Sequence, residues 1–173
     1  MGITAVEVFA AKEVAKSVTR IAHEILERHA GDQTPVLIGI QSGGVWIAEA
    51  IKNELDRIKP DNGILCGRID AGMHRDDIGL RPVLSVHSSH IPTDLSGATV
   101  ILVDDVLFTG RTVRAALEAL NEFGRPKCVQ LAVMVDRGHR ELPIRPDFVG
   151  KNIPTKPTDE VVVSAEGVTV EAR

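Results

Sequence analysis

The chain has 173 residues, of which 43% are hydrophobic and 25% charged. This length predicts one domain over residues 1–173, and the composition excludes intrinsic disorder and a fibrous fold. No apolar run approaches the ~20 residues of a membrane-spanning helix, so we expect a cytoplasmic protein with no membrane partner. Aromatic residues make up only 3% and the formal net charge is −4, which argues against a base-stacking platform for nucleic acid but allows a local basic face. Two isolated cysteines, Cys66 and Cys128, indicate neither a disulfide nor a zinc site, and we expect both in the core.

The first half of the chain alternates helix and strand signals. Apolar residues at helical spacing predict the first helix, and the run Val36 to Ile40 is typical of a buried parallel strand. In chain order the predicted elements are a helix at 11–29, a strand at 36–40, a helix after the loop 41–44, a strand at 64–69, a mobile polar loop at 70–82 and its return strand at 83–87.

The second half begins with the clearest strand, Thr99 to Val103, which is expected to end in Asp104 and Asp105. A turn at Thr109-Gly110 leads into a helix whose apolar face is expected to comprise Val113, Ala116, Leu117 and Leu120. A strand at 129–135 follows. Residues 137–157 hold four of the nine prolines and five basic against two acidic side chains, which predicts an irregular cationic stretch. A closing hairpin pairs 161–163 with 168–170.

These elements predict an α/β domain with a mainly parallel central sheet flanked by helices. Ligands of such sheets bind beyond the carboxyl ends of the strands, where the loops 41–44, 104–112 and 136–140 begin. Burying the carboxylates of Asp104 and Asp105 at the end of a buried strand costs free energy unless hydroxyl groups or cations bind to them. The turn Thr109–Thr112 offers hydroxyls and backbone N–H groups to a phosphate, so the pair suits a ribose 5-phosphate. The alternative is a pair of solvated carboxylates beside an ordinary helix cap.

The segment VILVDDVLFTGRT at 100–112 resembles the phosphoribosyl-diphosphate (PRPP) signature of type I phosphoribosyltransferases. Further segments resemble the pyrimidine operon regulators of that family, which combine messenger-RNA attenuation with uracil phosphoribosyltransferase activity: 19–25, 75–77, 124–126, 135–145 and 150–155. The resemblance spans residues 14–157 and implies the type I fold, with a flexible loop and a small hood.

The resemblance also implies a site. Asp104 and Asp105 are expected to face the ribose hydroxyls of PRPP and, with Arg75, to be the catalytic residues. Mg²⁺ is expected to be held mainly by PRPP, with no metal site built by the protein. The implied substrate-binding residues are Ser42, Gly43, Gly44, Val106, Leu107, Phe108, Thr109, Gly110, Arg111, Thr112, Asp136 and Arg137.

Two departures from the family pattern concern the pyrophosphate loop and the mobile loop. Ser42-Gly43-Gly44 stands where the family commonly has Thr-Arg-Gly, which predicts slower turnover because a charge-assisted hydrogen bond is lost. Arg75 is a candidate to compensate from the mobile loop, where His74 replaces a frequent Tyr. Uracil is expected near Asp136 and Arg137, whose alternative role is an ion pair closing a turn.

For RNA, the resemblance implies contacts from Thr19, Arg20, His23, Arg28, His139, Arg140, Arg145 and Lys151. The alternative for Arg20 is a surface ion pair with Glu24, and for His23 a packing role. The expected partners are PRPP, uracil, UMP, a pyrimidine-operon leader RNA and further copies of the chain in a homodimer or higher homo-oligomer. Two other functions stay open: an RNA-binding UMP sensor with little or no enzyme activity, and a plain base-salvage phosphoribosyltransferase.

Overall fold

The computed structural model describes residues 5–31, 33–76 and 87–172. Short 3₁₀ helices lie at Gly72–His74 and Asn121–Phe123. None of the helices in the described ranges combines the length and apolar character that a membrane crossing requires. The main elements are β1 (Ala5–Ala10), α1 (Ala11–Arg28), β2 (Val36–Ile40), α2 (Gly43–Ile58), β3 (Leu65–Ile69), β4 (Thr99–Leu107), α3 (Arg111–Leu120), β5 (Cys128–Asp136), β6 (Phe148–Asn152), β7 (Glu160–Ser164) and β8 (Gly167–Glu171).

Five strands of the described chain form a parallel sheet in the order β3-β2-β4-β5-β6. Every residue of β2 is buried, and Leu37 pairs with Cys66 of β3 on one side and Ile101 of β4 on the other. A strand covered on both faces tolerates an unbroken apolar sequence, which is why β2 and the start of β4 lack alternation. The predicted α/β class with a parallel central sheet is confirmed.

Helices cover both faces of this sheet and define two cores. Ile21 of α1 and Ile51 of α2 are completely buried against Ile101, while Ala116 of α3 packs with Leu102 on the opposite face. Successive residues of a strand point to opposite faces, so adjacent Ile101 and Leu102 serve different cores. The predicted first helix is therefore present, and its apolar stripe faces the sheet.

A small antiparallel sheet, ordered β1-β8-β7, lies beside the main core. The predicted hairpin is confirmed, since Val161 pairs with Val170 and Val163 with Val168. Val168 is completely buried and belongs to the same core as Phe9 of β1, which anchors the small sheet to α1. Strand β1 was not predicted, because its residues gain a partner only when the C-terminal hairpin folds back.

Two predicted boundaries near the site are corrected. Strand β4 does not end at Asp104 and Asp105 but continues to Leu107, because Asp104 pairs with Val133 and Val106 with Val135 of β5. The stretch 137–157 is not irregular throughout, since Phe148–Asn152 forms the edge strand β6. In both places the neighbouring strand supplies backbone partners that a local sequence pattern does not reveal.

Three predicted core residues are also corrected or qualified. Leu117 is 38% exposed, because the buried face of α3 is rotated towards the small residues Ala115 and Ala119, which allow the helix to approach the sheet. Cys128 is exposed at the start of β5. Cys66 is half-buried, and this burial raises the pKa of its thiol to about 11.

The predicted mobile loop is only partly described. Residues 72–74 form one 3₁₀ turn, whereas 77–86, which include most of the predicted return strand, lie outside the described residues. His87 is described and belongs to no strand. After it, His90 forms an isolated antiparallel bridge to Arg68 of β3.

Candidate phosphoribosyl site

A cavity of about 470 Å³ opens at the carboxyl ends of β4 and β5. These ends lie side by side, because Leu107 pairs with Asp136 at the last position of both strands. The cavity therefore lies at the edge of the sheet that the sequence predicts for a ligand. Its lining residues are Arg75, Asp104, Val106, Leu107, Phe108, Thr109, Gly110, Arg111, Thr112, Val113, Arg137 and Glu141.

One end of the cavity is a turn that leads into α3. Gly110 occupies the left-handed region at φ +93° immediately before the helix, a conformation that suits a residue without Cβ. The Thr109 hydroxyl accepts a hydrogen bond from the Arg111 amide at 3.3 Å, and the Thr109 carbonyl accepts from the amides of Glu141 and Leu142. The third loop thus fixes the turn at the beginning of α3, and the N-terminus of a helix is a place that favours an anion.

Asp104 lines the same cavity, and Asp105 follows it in β4. The Asp104 side chain is only 5% exposed, and its Oδ1 accepts from the Asp105 amide at 2.9 Å. Burial, followed by the neighbouring Asp105 charge, raises the pKa of Asp104 well above its ordinary value, although Arg75 opposes the shift. The oxygen atoms of the two neighbouring carboxyl groups are acceptors of the kind that the hydroxyls of a diol require.

The turn before α2 packs directly on the second aspartate. A Cβ added to Gly43 would lie within 2.8 Å of Asp105 Oδ1, and one added to Gly44 would lie 2.9 Å from the Asp104 Cα. Neither position has room for a side chain. Two glycines in succession therefore let the Ser42-Gly43-Gly44 turn reach the aspartates, as the prediction of one shared site requires.

Arg75 and Arg111 both make side-chain contacts at the Thr109–Thr112 turn. Arg75 donates from Nη1 to the Thr112 hydroxyl at 3.1 Å. The side chain of Arg111 is held by two carboxylates, with Nη1 at 2.5 Å from Asp76 Oδ2 and Nε at 2.7 Å from Glu141 Oε2. Arg75 therefore contacts the Thr109–Thr112 turn, and it is also near enough to Asp104 to oppose the rise of that carboxyl's pKa.

The third loop packs around Phe108. Arg137 is 7% exposed, with its guanidinium 4.1 Å from the centre of the Phe108 ring, and burial lowers its pKa. Its Nη2 donates to the Lys156 carbonyl at 2.7 Å. Asp136 pairs with Arg140 at 2.6 Å rather than with Arg137, so the ion pair considered for the turn joins a different arginine.

The residues expected to contact RNA fall in two regions. Arg20 of α1 donates to the carbonyls of Val149 and Gly150 in β6, the strand that carries Lys151. Arg20 also forms the considered ion pair with Glu24, at 2.9 Å. Thr19 donates to Glu54, His23 and Arg145 are exposed, and Arg28 pairs with Asp147.

The second region is the third loop. His139 contacts the edge of the Phe108 ring and lies 2.7 Å from the Thr155 carbonyl, while Arg140 donates to the carbonyls of Phe108 and Ile144. These contacts place both residues beside the cavity that Phe108 lines. Within the described residues, the hydrogen bonds and ion pairs of His139 and Arg140 involve no residue of α1.

Sequence reasoning missed two acids that shape the site. Asp76 and Glu141 both hold Arg111, and Glu141 also lines the cavity. Glu141 stands 30 residues from Arg111, so no helical or strand spacing signals the pair. The available signal for Asp76 was its position beside Arg75 in a polar loop.

A family model described as "Phosphoribosyl transferase domain" matches residues 5–171. Curated relatives under the name "Bifunctional protein PyrR" are similar over nearly the whole chain. The chain belongs to this family, in its PyrR branch. The PyrR of Roseiflexus sp. (strain RS-1) is 50% identical over 159 residues, covering 90% of this chain and 85% of the relative. That of Enterococcus faecalis (strain ATCC 47077 / OG1RF) is 48% identical over 160 residues, covering 92% and 89%.

Solved structures of other phosphoribosyltransferases have the same overall fold as this chain. Hypoxanthine phosphoribosyltransferase from Trypanosoma cruzi, in complex with IMP, superposes with a TM-score of 0.72 at 19% identity, covering 96% of this chain and 93% of that one. The Staphylococcus aureus hypoxanthine phosphoribosyltransferase gives a TM-score of 0.70 at 16% identity, covering 93% and 83%. At this identity the likeness establishes the type I fold, which confirms the predicted fold class.

Proposed function

We propose that the chain is a single phosphoribosyltransferase domain that transfers phosphoribosyl from PRPP to uracil, giving UMP and pyrophosphate. The observation that carries this proposal is the cavity that joins Asp104 to the turn Thr109–Thr112, with Asp105 beside it. A carboxyl pair and an anion-binding turn at the two ends of one cavity match the diol and the 5-phosphate of a phosphoribosyl group. The family and the PyrR names of its relatives support the reaction class.

In the proposed reaction the uracil N1–C1′ bond forms while the bond from C1′ to the diphosphate oxygen breaks. The electron pair of the broken bond leaves with the diphosphate, and the N1 proton passes to water. Positive charge develops on the ribose ring in the transition state, as it does in glycoside hydrolysis. Asp104 and Asp105 would hold the diol of that ring, so their charge favours the transition state over the neutral sugar.

The proposed positions of the two ligand ends follow from the cavity walls. Thr109, Gly110 and Thr112 would bind the 5-phosphate through hydroxyls and the first amides of α3. Arg75 would add a cation at that end, since it already donates to Thr112. Uracil would lie against the third loop near Asp136 and Arg137, and the packing of Arg137 on Phe108 gives that wall a fixed shape.

Mg²⁺ is proposed to arrive with PRPP. Within the described ranges no three His, Cys, Asp or Glu side chains gather into a set that could hold a metal ion. The carboxylates of Asp104 and Asp105 nevertheless suit a cation that keeps most of its ligands as water and substrate oxygens. When bound, the ion would neutralise part of the diphosphate charge.

Steady-state release of pyrophosphate from PRPP, uracil and Mg²⁺ tests the enzyme. We expect pyrophosphate release that depends on uracil. Its rate should be lower than that of an enzyme whose pyrophosphate loop contains an arginine. Absence of turnover together with UMP binding would favour the alternative of an RNA-binding UMP sensor. Turnover with hypoxanthine and not with uracil would overturn the proposed base.

A second proposed function is binding of pyrimidine-operon leader RNA, by which the protein would regulate pyrimidine gene expression through attenuation. It is favoured by a shallow surface of about 550 Å³ on α1 that is lined by Lys12, Ala15, Lys16, Thr19, Arg20 and His23. Three of these six residues carry a permanent positive charge; Arg20 is paired with Glu24, and Lys12 and Lys16 leave the lining residues with an excess of positive charge. A homo-oligomer would bring two such faces to one RNA.

RNA binding is tested with a leader hairpin in a filter assay, with and without UMP. The double substitution Arg20→Ala with His23→Ala is expected to weaken binding at least tenfold, whereas exposed Lys127→Ala is the matched control and should change little. Raising the salt concentration should weaken wild-type binding steeply because counterions are released. If the wild-type protein bound the hairpin no better than an unrelated RNA, both with and without UMP, that result would overturn the RNA function and favour a plain base-salvage phosphoribosyltransferase.

A further inference from the structure

A second crevice, of about 240 Å³, opens beside the start of α2. Its walls are fixed by local hydrogen bonds: Gln41 Nε2 donates to the Ser88 carbonyl at 3.0 Å, and the His87 amide donates to Asp70 Oδ2 at 2.7 Å. The lining residues are Gln41, Ser42, Val45, Arg68, His87 and Ser88. The crevice therefore includes the first residue of the Ser42-Gly43-Gly44 turn.

Arg68 brings a positive charge to this crevice. It lies near the end of β3 and pairs with Gly39 of β2, whose Cα is packed against Val45 and Gly44 at the beginning of α2. Neighbouring residues of parallel strands point to the same face, so the Arg68 side chain lies on the α2 face. Arg68 is exposed, and in the part of the chain that the structure describes no hydrogen bond or ion pair engages its guanidinium.

The crevice adjoins the carboxyl pair of the main cavity. Gly43 lies between them: the preceding Ser42 lines the crevice, and a Cβ added to Gly43 would overlap the Asp105 carboxylate. If Asp105 holds the diol of a sugar, the crevice therefore begins one residue away, at Ser42.

We propose that Arg68 binds the departing diphosphate and supplies the positive charge that the Ser42-Gly43-Gly44 turn lacks. This inference rests on the proposed function of the site. A guanidinium can donate two parallel hydrogen bonds to phosphate oxygens, which suits a group that gains charge as its bond to C1′ breaks. Arg68 thus acts on the leaving group, while the carboxyl pair acts on the ring.

Titration calorimetry of the full chain with magnesium diphosphate, and separately with UMP, tests the proposal. Arg68→Met is expected to weaken diphosphate binding about 10- to 100-fold, because one charge-assisted contact is lost. UMP affinity should change less than twofold, since UMP carries no diphosphate. Arg68→Lys should recover part of the loss, and Arg125→Met, at an exposed arginine elsewhere, is the control.

The outcomes separate this proposal from the proposed function. Unchanged diphosphate affinity in Arg68→Met, with wild-type turnover present, overturns the role of Arg68 alone. Equal weakening of diphosphate and UMP would also overturn it, since a general distortion of the site would then explain the loss. Arg68-dependent diphosphate binding without any turnover supports the role of Arg68 and counts against the enzyme. No diphosphate binding by wild-type protein overturns both.

Discussion

Substituting Gly43 by Ala probes how closely the turn before α2 approaches the carboxyl pair. The added methyl would overlap the Asp105 carboxylate, and the side chain must withdraw by roughly 1 Å to relieve the overlap. Displacements of that size in a positioning group can lower catalytic efficiency about 100-fold. We therefore expect kcat/KM for PRPP to fall by about two orders of magnitude.

The stability of Gly43→Ala should change little. The obstructing atoms belong to the Asp105 side chain and not to the backbone. Moving this side chain costs the hydrogen bond from the Val106 amide to Oδ1, about 1 kcal/mol, and the preference of a helix for Ala over Gly, at most about 1 kcal/mol at this first position, offsets that cost. Gly44→Ala is the matched contrast, because its methyl would meet the backbone of Val103 and Asp104, which cannot move aside. Overpacking of that kind costs about 1–3 kcal/mol, so Tm should fall by about 2–12 °C.

Steady-state kinetics with varied PRPP and a thermal unfolding scan of both variants make the comparison. Normal kinetics in Gly43→Ala would refute the assignment of Asp105 to the ribose diol. An equal loss of Tm in both variants would refute the claim that the methyl at position 43 displaces only a side chain, since it would mean that this methyl also distorts the backbone.

Three further changes test separate parts of the account. Asp105→Asn keeps the shape of the side chain and removes its charge, so KM for PRPP should rise at least tenfold, and unchanged kinetics would contradict this role. Arg140→Ala removes the partner of Asp136, so unfolding in urea should show a loss of about 1–3 kcal/mol; an unchanged midpoint would contradict the structural role of that pair. The hydrogen bond from Arg57 lowers the pKa of Glu54 to about 2, so this group stabilises the fold above about pH 4.5 and loses that effect as the pH falls towards 2. The Tm difference between wild type and Glu54→Gln should therefore shrink between pH 7 and pH 3, and a constant difference would argue against the shift.

Unbroken apolar runs in the sequence predicted the strands that are buried on both faces. The runs Val36 to Ile40 and Thr99 to Val103 are apolar because the strands are covered on both faces, and that signal does not depend on distant partners. The continuation of β4 through Asp104 and Asp105 depends on β5, so residue preferences at the aspartates alone predicted an early end.

The candidate site shows the same division. The motif from Asp104 to Thr112 is contiguous, and its parts meet in one cavity. The contacts of Arg75 with Thr112 and of Arg111 with Glu141 join residues 37 and 30 positions apart, which no local pattern specifies. The pairing of Asp136 with Arg140 instead of Arg137 depends on Phe108, whose ring receives the Arg137 guanidinium.

The most direct test of the central claim is a crystal structure of the protein with UMP. The account predicts the phosphate on the turn Thr109–Thr112, the ribose hydroxyls within hydrogen-bond distance of Asp104 and Asp105, and the base against the third loop. UMP bound at another place, or with its ribose turned away from both aspartates, would contradict the claim.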